Sequence, residues 1–169
     1  MKVRRLAAMG VLTALALILF MVEAQIPMPV PIPGVKLGLS NIITVFAVFA
    51  MGSGDAAAIL FCRVFLGAIF SGNFSTIFYS AAGGLCAILI TIGLKRILTL
   101  KQLWVAGALG AVAHSIGQMV MAVALTGTPY LILYLPVMIV ISIPTGLFTG
   151  LCAQFIRNRG DKLWKTIFR

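Results

Sequence analysis

Apolar residues fall into six blocks along the chain, at 6–22, 37–51, 56–70, 77–94, 103–125 and 130–156. Short clusters of Gly, Pro, Asn and charge separate them. A helix that crosses a bilayer needs about 20 consecutive apolar residues, so each block reads as a membrane-spanning helix. The second and third are short. The sixth is long and holds Pro136 and Pro144, which predicts tilt or a kink there. Gly52-Ser53-Gly54-Asp55, Gly72-Asn73 and Gly127-Thr128-Pro129 read as turns. The first block follows Lys2, Arg4 and Arg5, as a signal peptide would. It is longer than a typical signal core, ends in Glu23-Ala24-Gln25 and is followed by more spans, so it reads as retained. Between the first two blocks lies a loop, 24–36, with prolines at 27, 29, 31 and 33. Alternate prolines fix φ and remove backbone donors, giving an extended polyproline-like segment. Being apolar as well, it is expected on the membrane surface or folded over the protein.

Composition supports this reading. Of 169 residues, 62% are hydrophobic and 9% charged, against roughly 45–50% and about 25% in a soluble domain. The chain cannot coat a soluble globule, and disorder requires low hydrophobicity. One all-α membrane domain, 1–169, is predicted. The net charge is +10, which in a soluble protein would suggest nucleic acid. In a membrane protein it suggests basic cytoplasmic loops and no nucleic-acid partner. With the N-terminus in the cytoplasm, Lys2, Arg4, Arg5, Lys95, Arg96, Lys101, Arg157, Arg159, Lys162, Lys165 and Arg169 fall inside and only Lys36 outside. That asymmetry predicts six helices with both termini cytoplasmic. Trp104 and Trp164 are expected at the interface, and the basic tail 157–169 on the anionic inner leaflet. Cys62, Cys86 and Cys152 lie inside apolar runs and read as small buried hydrophobes.

Ionisable groups within spans are costly, about 2.5–3.5 kcal/mol on insertion scales, and are functional candidates by default. Here they are Glu23, Lys36, Arg63 and His114, with Asn41, Asn73 and Gln118 as polar company. At about 1.5 Å per residue, Arg63 falls near mid-depth. Lys36, Asn41 and Asn73 fall toward the outside. His114 and Gln118, four apart, share one helix face. One outward polar cavity would collect them, and its net positive charge would favour an anion. The alternatives are structural. Arg63 can pair with Glu23, His114 and Gln118 can bond neighbouring helices, Lys36 can sit at the headgroups, and Asn41 and Asn73 can cap helices. Small residues form a second pattern: Gly10 and Ala14 on the first span, Gly107, Ala111 and Ser115 on the fifth, Gly146 and Gly150 on the sixth. Such spacing allows close helix approach, either within the chain or against a partner. No Walker A, GxSxG, HExxH or aspartate-rich pair occurs, so no catalytic residue, metal ligand or cofactor is expected.

The stretches Ile32-Pro33-Gly34-Val35-Lys36-Leu37-Gly38-Leu39-Ser40-Asn41-Ile42, Arg63-Val64-Phe65-Leu66-Gly67 with Ser71-Gly72-Asn73, and Gly110-Ala111-Val112-Ala113-His114-Ser115-Ile116-Gly117-Gln118 resemble one bacterial membrane family. It is known as the Gx transporter family or as heptaprenyl diphosphate synthase component I. The family is similar in size and span count to the substrate-binding S components of energy-coupling factor (ECF) transporters. That likeness implies an S-component-like bundle in the bacterial cytoplasmic membrane. It also implies that Gly10 and Ala14 dock a coupling subunit with its ATPases, and that the loop after the first helix covers the substrate. The two labels imply two functions. One is capture of a small anionic or amphipathic solute for energy-coupled uptake, with Lys36, Asn41, Arg63, Asn73, His114 and Gln118 binding it; this is the expectation favoured here. The other is a non-catalytic membrane accessory of polyprenyl diphosphate synthesis, with a prenyl diphosphate at Lys36 and Arg63.

Overall fold

A computed structural model describes residues 2–26, 36 and 38–160. They form α1 (Lys2–Glu23), α2 (Asn41–Ala50), α3 (Ser53–Ser71), α4 (Ser75–Leu94), α5 (Leu103–Thr126) and α6 (Leu135–Arg159). Short 3-10 turns, Leu100–Gln102 and Pro129–Tyr134, lead into α5 and α6. Most of the proline loop and the end of the tail, including Trp164, lie outside the described residues. Helix ends follow local chemistry. Gly72 and Gly127 close α3 and α5 at φ 64° and 63°, a left-handed conformation glycine adopts without a Cβ penalty. At the entry to α5 the Thr99 backbone N–H donates to Gln102 Oε1 at 3.1 Å, part of a capping box. Pro136 sits in the first turn of α6, where its missing N–H costs nothing. It therefore starts the helix rather than kinking it, and Pro144 is the proline inside α6.

Among the described residues, five helices are long and apolar enough to cross a membrane: α1, α3, α4, and α5 and α6 with their leading turns. The second expected span is the exception. In place of a helix over 37–51 there is α2, of 10 residues, about 15 Å long and half the hydrocarbon thickness. Every residue from Asn41 to Phe49 is buried, so α2 is a core helix enclosed by the other five. Two contacts at one end of the bundle fix its direction. Arg5 Nε pairs with Asp55 Oδ2 at 2.7 Å, which sets the starts of α1 and α3 at one end of the bundle. Lys95, just after α4, donates to the Val48 carbonyl in the last turn of α2 at 2.5 Å. A cation there satisfies an orphan carbonyl and opposes the helix dipole.

The small-residue patterns separate. Those of α5 and α6 face each other. A Cβ added at Gly146 would lie 2.6 Å from the Gly107 carbonyl oxygen and 2.7 Å from the Ala111 Cβ, and one at Gly150 would lie 2.6 Å from Trp104 Cα. These glycines bring two backbones into contact. Gly10 and Ala14 are exposed, and a Cβ at Gly10 would meet nothing within 4 Å. They lie on the outer face of α1 with Val11, Leu15 and Ile18. The bundle's surface also carries Phe61, Phe65, Phe78, Leu89, Val120 and Phe148, an apolar exterior suited to lipid rather than water.

Candidate functional site

Glu23 closes α1 and is 2% exposed. Its carboxylate accepts the backbone N–H of Gly38 through Oε1, and of Leu39 through Oε2 at 3.0 Å. Two residues before Gly38 in this strap, the Lys36 N–H donates to Gln118 Oε1 at 3.2 Å. Three backbone donors that no helix serves are thus taken by side chains of α1 and α5. This lets non-helical chain sit inside an apolar bundle, where unpaired amides cost several kcal/mol. Gly38 takes φ 84°, and a Cβ on it would approach Asn41 Nδ2 to 2.8 Å. Both the backbone and the space require glycine there. The strap ends at Asn41, and α2 begins.

Behind the strap lie the expected polar residues. Asn41, Arg63 and His114 are each 2% exposed and Gln118 1%. Gln118 Nε2 donates to His114 Nε2 at 2.9 Å, one turn away on the same face of α5. Gly83 of α4 leaves room for both rings and chains: a Cβ there would come within 2.8 Å of His114 Cε1 and Gln118 Cγ. On the α1 side Phe20 organises the cations. Lys36 Nζ stands 3.3 Å from its ring centroid and the Arg63 guanidinium carbon 5.7 Å, both within cation–π range. Phe20 itself packs into the gap left by Gly67.

Burial leaves several polar atoms of this cluster without a hydrogen-bond partner: Arg63 Nη2, Ser40 Oγ, and both Nδ2 and Oδ1 of Asn41. Buried polar groups are normally satisfied, and an unpaired one costs about 1–3 kcal/mol. Together they supply a charged donor, a neutral donor and an acceptor. No Glu23–Arg63 ion pair forms within 4 Å among the described residues, because the carboxylate is committed to the strap. The structural pair considered from the sequence is therefore not made.

The structure brings together Lys36, Asn41, Arg63, His114 and Gln118. Asn73 has a local role: its Oδ1 accepts from Ser75 N at 3.0 Å and Ser75 Oγ at 2.6 Å, fixing the turn into α4. Within this cluster Asn41, Arg63, His114 and Gln118 are buried and Lys36 is partly exposed. Phe20, Gly38, Ser40 and Gly83 were not singled out as site residues by sequence. Phe20 and Gly83 lie inside apolar runs, where nothing marks one aromatic or glycine from the next. Gly38, three residues before a polar helix start, was the one with a readable signal. Surface grooves lie elsewhere. One of about 430 Å³ runs between α4 and α5 past Ile90, Leu94, Leu109 and Ile116, and one of about 840 Å³ lies along α6 past Phe148, Leu151, Phe155 and Arg159.

No curated protein and no solved structure matches the chain. The model of one family, heptaprenyl diphosphate synthase component I, matches residues 12–156. This interval runs from within α1 to near the end of α6 and contains the strap and every residue of the buried cluster. A helical bundle with an apolar exterior and this match over most of its length belongs to the heptaprenyl diphosphate synthase component I family.

Proposed function

We propose that the chain is a non-catalytic membrane component of prenyl diphosphate synthesis, and that Lys36, Arg63 and Asn41, backed by His114 and Gln118, bind an anionic ligand inside the bundle. The family's description favours this over the uptake reading that the resemblance to S components suggested. The observation that carries the site is Arg63: a guanidinium 2% exposed with Nη2 unpartnered, where a bound anion would complete its hydrogen bonding. Catalysis is assigned to a partner component. The three acidic residues are Glu23, Asp55 and Asp161; Glu23 holds the strap, Asp55 pairs with Arg5, and no aspartate-rich pair can hold magnesium on a diphosphate.

The basic end of the bundle is assigned to the cytoplasm of a bacterial cell by the positive-inside rule. Both termini then lie inside, the proline loop lies outside, and the strap with α2 makes the return crossing between α1 and α3. Broken crossings of this kind place binding sites at their non-helical part. The test is a thermal-shift series with geranic acid, an anion with a short prenyl tail. The probe should raise the melting temperature of the wild type and leave Arg63→Gln unmoved. Equal destabilisation of Arg63→Gln and Glu23→Gln, with the ligand response intact in both, would remove Arg63 from the site.

A second reading keeps a specific observation: Gly10 and Ala14 are exposed on α1 with open space around Gly10. This supports docking of a partner membrane protein there. A coupling subunit of an energy-coupled transporter and a membrane partner in prenyl synthesis are both served by such a face.

A further inference from the structure

We infer that the buried site is matched to a head group with a single negative charge, and that Glu23 sets this limit. The inference rests on the anion-binding role proposed above and narrows it. Three ionisable groups surround the site: Lys36 and Arg63, which share Phe20, and Glu23, three residues further along α1. Both Glu23 oxygens accept strap amides, bonding that favours the carboxylate, and with Glu23 as the carboxylate the three charges sum to +1. His114 uses its Nε2 lone pair to accept from Gln118 and adds none in this arrangement. Helices α2, α4 and α5 contain no Asp, Glu, Lys or Arg, and α6 carries its arginines at the far, basic end.

Glu23 cannot leave this balance freely. Both of its oxygens hold strap amides, those of Gly38 and Leu39. Swinging it away would strand one buried and one part-buried N–H group in an apolar bundle. The carboxylate is therefore a fixed negative charge facing whatever Lys36 and Arg63 bind. A monoanion brings the buried charge to zero and gives Arg63 Nη2 its missing acceptor. A diphosphate head brings at least one further negative charge, with no cation to meet it and Glu23 nearby. In a poorly screened interior such repulsion is large. The site therefore rejects the diphosphate itself, and that head is left to the catalytic partner.

The test uses two probes with the same tail, geranic acid and geranyl diphosphate, on the full chain in lipid nanodiscs, with geraniol as the neutral background. Binding is read by calorimetry. The wild type should bind geranate at least about tenfold tighter than the diphosphate. Glu23→Gln should narrow or reverse that preference by raising diphosphate affinity about tenfold or more. Diphosphate binding to the wild type as tightly as geranate overturns the charge limit while leaving the anion site standing. A geranate preference that Glu23→Gln leaves unchanged overturns the role of Glu23. A wild type that binds neither probe above geraniol overturns the anion-binding reading and this inference together. Should Glu23→Gln fail to fold, the wild-type comparison still decides the charge limit.

Discussion

Gly83 offers the sharpest test of how the site is packed, because α4 supplies its own control. Gly83 and Gly93 lie on the same helix. A Cβ at Gly83 would sit 2.8 Å from His114 Cε1, 2.9 Å from His114 Nδ1 and 2.8 Å from Gln118 Cγ, whereas one at Gly93 meets nothing within 4 Å. Each Gly→Ala change gains up to about 1 kcal/mol in helix propensity. At Gly93 that gain stands alone. At Gly83 the neighbours must retreat by several tenths of an ångström, and both are buried, bonded to each other and tied to the strap through Lys36 N–H. Overpacking of this kind costs about 1–3 kcal/mol, and weakening the Gln118–Lys36 bond adds about 0.5–1.5 kcal/mol. Gly83→Ala should therefore be about 1.5–4.5 kcal/mol less stable than Gly93→Ala, and should bind geranate more weakly. Thermal unfolding of both variants in one detergent, with and without the probe, measures this. Equal melting temperatures and equal probe shifts would refute the contact between α4 and the His114–Gln118 pair.

Three further outcomes follow from particular residues. Gly10→Leu and Ala14→Leu should leave the melting temperature within a degree or two of the wild type, while pull-down of membrane partners is lost; unchanged association would leave this face to lipid alone. Lys36→Gln removes one of the two cations that share Phe20 and should weaken geranate binding in calorimetry; unchanged affinity would remove Lys36 from the site. For topology, a cysteine replacing Val30 should react with an impermeant reagent applied outside cells, and one replacing Gln102 should not; the reverse would refute the assigned orientation.

What the sequence determined by itself is the part written in composition and in order along the chain. Long apolar runs specify helices, since backbone groups in lipid must be satisfied within the segment. For that reason α1, α3, α4, α5 and α6 were legible nearly to their ends. The rarity of ionisable residues in such runs made Arg63 and His114 conspicuous, and i, i+4 spacing already paired His114 with Gln118. The tertiary structure decided what depends on residues distant along the chain. Nothing local says that Glu23 reaches fifteen residues on to the strap at Gly38 instead of pairing with Arg63. Nor does local pattern say that this clamp stops the second apolar run from being helical before Asn41. Hydrophobicity counts residues but cannot tell a helix that crosses lipid from one enclosed by five others, and α2 is apolar enough for either. The glycines show the same limit. Gly10, Gly83 and Gly146 look alike in sequence, yet one faces open space, one makes room for His114 and Gln118, and one seats a helix against its neighbour. What a missing side chain makes room for is a property of the neighbour, and only the fold supplies the neighbour.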